Sequence, residues 1–230
     1  MKVTLHRGIT VKPEEAEMIS NRILTEGINA NDGADYDKLR NFKQRVLEPS
    51  LERLREKKDL SVEDVEQATI RSYPVLCACG DELGASYYAV EHNYSKKNGH
   101  THPLIIQFTT KLSNILVDGA DFLYTATSGS PNQSQEDILA KFFGTKIRTY
   151  INLARKSESA EPWFAMMLLA IQDPKIIAAH LKNRTILGGK WRTLFTSAFQ
   201  VRSPIPAEDI ISVSKAHLTE FTLGDYFRLG

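Results

Sequence analysis

The chain opens on Val3 to Ile9, where apolar and polar positions alternate with the period of two expected of a half-buried strand. The period then changes. Ala16, Ile19, Ile23 and Leu24 recur at helical spacing, with Pro13 at the first helical position, Glu14 and Glu15 in the first turn, and Gly27 past the end. Proline presets the helical φ and the two acids oppose the positive end of the helix dipole, so this segment is predicted as a helix. Asn29 to Asp35 (NANDGAD) is a run of turn formers. Beyond it, Tyr36, Leu39, Phe42, Val46 and Leu47 return to helical spacing, and Pro49 restarts a helix with Leu51 and Leu54 inward. Ser61 with Asp64 resembles a capping box opening a third helix to about Ile70. The charged run Arg53 to Asp59 reads as a solvated helix face.

Strand chemistry takes over in the middle. Tyr73 to Cys79 is short, apolar and β-prone, and Gly80-Asp81 turns it into a helix holding Ala85, Tyr88 and Ala89. Leu104 to Phe108, Ile115 to Val117 and Phe122 to Thr127 are predicted strands, with Asp118-Gly119 as a turn. After the polar loop Ser128 to Gln135 a helix starts near Glu136, and the chain reads as helical until Leu187. Within that stretch Asp173-Pro174 supplies an N-cap and first-position pair, and Gly188-Gly189 ends it. Leu194 to Val201 and Ile210 to Val213 return to strand. With no repeat or linker to divide it, the chain is predicted as one α+β domain over residues 1–230, with a helical insertion at about 136–187.

Composition narrows the reading. The 230 residues carry 29 Lys and Arg against 28 Asp and Glu, a formal charge of +1. A protein drawing its affinity from phosphate contacts carries a cationic surplus, so this balance argues against nucleic acid as a partner. An apolar share of 42% with 13 Gly and 9 Pro is a globular composition. Cys77 and Cys79 stand too close for normal disulfide geometry and read as reduced thiols, independent of an oxidising compartment. The N-terminus lacks the apolar core of a cleavable secretory signal. Trp163 to Ile171, the longest apolar run, has nine residues, where a membrane helix needs about 20. A soluble cytoplasmic protein without membrane contact is expected.

Neither the G-x-G-x-x-G fingerprint, the P-loop, H-E-x-x-H nor G-x-S-x-G occurs. Four constellations remain. Cys77 and Cys79 with His100 and His102 have the chemistry of a tetrahedral zinc site, yet alternate strand positions do not wrap a metal as C-x-x-C does, and the reading is no metal. His6-Arg7-Gly8 closes the first strand, where arginine can grip phosphate or carboxylate bidentately and glycine lets a ligand approach the backbone. Its plain alternative is a surface arginine beside a turn glycine. Tyr87 and Tyr88 sit side by side in a helix, either stacking on a planar ring or packing in the core. Asp118, Asp121, Glu136 and Asp137 surround the polar loop, and the last two also suit a first helical turn.

Taken in order, Leu5-His6-Arg7-Gly8, Cys77-Ala78-Cys79 with Gly84-Ala85-Ser86-Tyr87-Tyr88-Ala89, and the late PLIIQF and LFTSAFQVRSPIPAEDI resemble landmarks of the mono-ADP-ribosyltransferase family across most of the chain. That resemblance implies an α+β fold of split mixed sheets, and an enzyme that cleaves nicotinamide from NAD and transfers ADP-ribose to a side chain, arginine first, of a target protein. NAD is then a substrate and no metal is needed. The resemblance makes Glu136 the catalytic carboxylate, with Asp121 second, stabilising the oxocarbenium-like charge on the ribose. Arg7 pins the pyrophosphate, His6 borders the adenosine ribose beside Gly8, and Tyr87 or Tyr88 stacks on nicotinamide. Cys77 and Cys79 stand where the family carries Ser-x-Ser. The implied partners are NAD and a target protein, with no nucleic acid, and the implied setting is that of a toxin-like effector delivered to a host cytosol. The alternatives are a non-catalytic NAD- or protein-binding module on the same fold, or an NAD glycohydrolase.

Overall fold

The alternation that opens the chain continues past Gly8, and Lys2–Val11 is one ten-residue strand, β1. The computed structural model describes residues 1–29, 75–90, 99–118, 136–137, 140–141, 144–148, 170–171, 173–181, 186–188, 198–217 and 226–228. Along these follow α1 (Ala16–Glu26), β2 (Val75–Cys79), α2 (Glu82–Val90), β3 (His102–Lys111), β4 (Ile115–Asp118), β5 (Ala170–Ile171), α3 (Pro174–Leu181), β6 (Ile186–Gly188), β7 (Ala198–Arg202), β8 (Ile210–Lys215) and β9 (Tyr226–Arg228). The chain divides into two compact units. Unit 1 is Met1–Asp35, Tyr73–Ile115 and Thr196–Asp225; unit 2 is Tyr36–Ser72, Leu116–Phe195 and Tyr226–Gly230.

In unit 1 the strands run in the order β7-β2-β1-β3-β8, every adjacent pair antiparallel. β1 and β3 pair over their full lengths, from Lys2 opposite Lys111 to Val11 opposite His102. Because alternate residues share a face, this register puts Leu5 with Phe108 and Ile9 with Leu104 on one side of the sheet, all buried. Leu76 with Val201 and Ala78 with Phe199 extend that side across β2 and β7. The other side carries α2. Ala85 and Ala89 of the helix form a buried cluster there with Cys79, Ile105 and Ala216, with Tyr88 and Val90 packed half-buried against it.

Local chemistry explains the helices. Pro13–Glu15 forms a 3-10 turn leading into α1, which buries Ala16 and Ile23 and leaves Leu24 exposed, and Gly27 caps its end. Asp81 caps α2, its carboxylate accepting from the Gly84 amide at 2.8 Å. Asp173 does the same for α3, accepting from the Lys175 amide at 2.9 Å. In unit 2, β4 pairs antiparallel with β5, and β6 pairs in parallel with β9. Both β5 and β6 fall where the sequence reads as continuous helix. Short apolar runs of this kind do not distinguish strand from buried helix by period alone.

The architecture is α+β, and nothing in it is specific to the ADP-ribosyltransferase fold. The predicted helices of 36–70 and the strand Phe122 to Thr127 lie outside the described residues. Among the described residues no helix is long and apolar enough to cross a membrane.

Candidate functional site

Across unit 1, Gln107, His6 and Cys79 are in register on β3, β1 and β2, which places them on the α2 side of the sheet. Cys77, two residues along β2, shares that side with an exposed thiol, and its register partner Gln200 is buried. Ser212 donates its hydroxyl to Gln107 Oε1 at 3.3 Å. A row of polar groups therefore crosses the sheet beside α2.

Arg7 falls on the opposite side. It is buried, and its Nη1 donates to the Cys77 carbonyl at 2.7 Å, binding the guanidinium into the sheet. Gly8 lies inside β1 rather than at its end, and the reason is packing. A Cβ there would sit 2.0 Å from the carbonyl oxygen of Ala85 and 2.9 Å from the amide of Ala89, so the backbone of α2 rests directly on the strand. Thr10 fastens the same helix, donating its hydroxyl to the Ala89 carbonyl at 2.5 Å. Gly8 thus accommodates α2, and neighbouring Arg7 and Gly8 address opposite faces.

In unit 2, Glu136 and Asp137 stand in one helical turn and share Arg148. Glu136, buried, has its Oε2 3.5 Å from Arg148 Nη1, and Asp137 accepts from Nη2 of the same guanidinium. Arg7 and Glu136 belong to different units. Asp121 and the side chain of Tyr87 lie outside the described residues. Among the described residues no group of three or more His, Cys, Asp or Glu is placed to hold a metal ion, and His102 lies five residues along β3 from Gln107, the partner of His6.

Charge separates the units. Unit 2 has 20 Lys and Arg against 15 Asp and Glu, whereas unit 1 has 9 against 13. The near-neutral total is therefore the sum of a cationic unit and an anionic one. Inside unit 2, Lys38 to Leu47 carries Lys38, Arg40, Lys43 and Arg45 with no acid, and Pro174 to Phe195 carries five Lys and Arg with no acid.

A family model described as "Initiator Rep protein, WH2" matches residues 28–71, the segment between α1 and β2. No curated protein matches the chain, and no solved structure does.

The match overturns the expectation of a mono-ADP-ribosyltransferase. The matched family is not a transferase family, and with it go the assignment as an NAD-consuming enzyme, the toxin-like effector setting, and NAD and a target protein as the partners. The exclusion of nucleic acid falls as well. Its error was physical, because net charge over the whole chain averages away a local surplus, while phosphate binding responds to charge within about a Debye length. The matched segment itself holds 9 Lys and Arg against 10 Asp and Glu, and its cations gather in the acid-free run Lys38 to Leu47, a local feature that a whole-chain total does not register.

Proposed function

We propose that the chain is a DNA-binding protein of the replication-initiator kind, with residues 28–71 making the principal contact to duplex DNA. The observation that carries this reading is the match of those residues to the initiator Rep family, a winged-helix domain. The acid-free run Lys38 to Leu47 inside that segment supports it. Lys38, Arg40, Lys43 and Arg45 supply charge to phosphates, and polar residues of the same segment, among them Asn41 and Gln44, have the donors and acceptors that read base edges. The anionic surplus of unit 1 limits non-specific adhesion of that unit to DNA by like-charge repulsion. The test is direct binding of the full chain to fluorescently labelled duplex, measured by anisotropy at several salt concentrations. Saturable binding that weakens with salt is expected, and absence of binding at low salt overturns the proposal.

A further inference from the structure

The strand β8 stands at one end of the strand order in unit 1. β3 pairs with one side of it, and among the described residues no strand pairs with the other. The Ala216 amide donates to the Pro103 carbonyl at 3.0 Å. In an antiparallel pair, successive residues alternate between bonding toward the neighbouring strand and turning away from it. Ser214 and Ser212 therefore bond toward β3, and Val213 and Lys215 turn their amides and carbonyls outward. The chemistry along this edge is polarised. Glu208, just before β8, and Lys215, its last residue, are both exposed. Ile211, which the irregularity opposite Gln107 and Phe108 leaves without a register partner, is exposed as well. α1 packs against β8 and carries the exposed apolar side chains Met18 and Leu24.

We propose that the β8 edge is a two-fold interface between two copies of this chain. Pairing Val213 antiparallel with Ile210 of a second copy brings Lys215 level with Glu208 of that copy. The two-fold axis repeats both contacts, giving two apolar cross-strand pairs and two pairs of opposite charge. Ile211 of each copy then falls beside the axis, opposite Ser212 of the other, so the irregularity is matched across the interface. A strand with an acid at one end and a base at the other complements itself in antiparallel order. That complementarity favours a second copy over an unrelated strand, and the exposed Ile211 gains cover from it. The interface uses no residue of 28–71 and stands apart from the DNA-binding reading.

The experiment is sedimentation equilibrium of the full chain, without DNA, over a concentration series reaching about 100 µM, which captures associations of moderate strength. A reversible equilibrium between monomer and dimer is expected. Lys215→Glu sets acid against acid twice in each dimer and is expected to raise the dissociation constant by about tenfold or more. Adding Glu208→Lys to it exchanges the charges and is expected to restore the dissociation constant to within about threefold. Hydrogen exchange supplies a readout on the unaltered protein, in which the Val213 and Lys215 amides are expected to slow as concentration rises. A monomer at every concentration overturns the proposal, and so does a dimer that Lys215→Glu leaves unchanged. A double variant that associates no more tightly than Lys215→Glu alone, or exchange at Val213 and Lys215 that ignores concentration, overturns it equally.

Discussion

Ile28 and Ile205 exchange both backbone hydrogen bonds, each amide donating to the other's carbonyl at 2.9 Å. Both side chains are fully buried. Ile28 is also the first residue of the matched segment, so the start of that segment is tied to the connection between β7 and β8. The fixture depends on Gly27, which turns the chain out of α1 with φ +83° and ψ −162°, a conformation open essentially to glycine. A Cβ there would lie 2.1 Å from the Ile205 carbonyl oxygen.

Gly27→Ala is therefore expected to destabilise the protein by about 2 kcal/mol or more, combining backbone strain with displacement of the Ile205 carbonyl. Urea unfolding reads the loss, and hydrogen exchange at the Ile28 amide should quicken. An unfolding midpoint equal to that of the wild type would contradict the account of this junction.

At Gly8 the obstructing atom is the backbone carbonyl of Ala85, which cannot rotate away, so Gly8→Ala must lift α2 from β1. Overpacking of this kind costs about 1–3 kcal/mol. Thr10→Val, which removes only the hydroxyl bond to Ala89, should cost about 1 kcal/mol. Thermal unfolding distinguishes them. A Gly8→Ala protein as stable as one altered at exposed Met18 would show that the helix does not rest on the glycine.

Asp209 joins three parts of unit 1. It accepts a hydrogen bond from the Lys2 ammonium of β1 and another from the Thr109 hydroxyl of β3 at 3.0 Å, and it stands immediately before β8. The Lys2 hydrogen bond, with help from Thr109 and from the charges of Lys2 and Lys111, holds its carboxyl below the ordinary 3.8, against the opposing effect of burial. A depressed carboxylate stabilises the fold fully above its unfolded pKa, and that contribution disappears as pH falls through the folded value. Between neutral pH and about pH 5 the Asp209 contribution should be flat, and below pH 4 it should fall away. Asp209→Asn should reduce the acid dependence of the urea midpoint. An unaltered acid limb would show that the pair contributes nothing.

What the sequence disclosed depended on the range of the interaction responsible. Pro13 and Gly27 bracket α1, and Gly80-Asp81 leads into α2, because caps act within a few residues and leave local signatures. Gly8 reads as a turn glycine because its real reason, Ala85, is contributed by a helix distant in sequence. The strands β5 and β6 were illegible because their partners Val117, Asp118 and Tyr226 to Arg228 decide them, not their own period. The site was obscured differently. Arg7 and Gly8 look like one motif in sequence, yet strand alternation sends them to opposite faces of the sheet, and the charge of unit 2 was cancelled in the total by unit 1.

The proposed contact of residues 28–71 with duplex DNA draws its phosphate affinity from Lys38, Arg40, Lys43 and Arg45. The measurement that tests it most directly is the salt dependence of duplex affinity for the full chain and for Lys38→Gln, Arg40→Gln, Lys43→Gln and Arg45→Gln combined. The plot of log affinity against log salt should lose up to about 3.6 in slope, at roughly 0.9 per phosphate contact removed, with affinity at low salt falling by orders of magnitude while the folded content is unchanged. A variant that binds duplex with the affinity and the salt slope of the wild type would contradict the account.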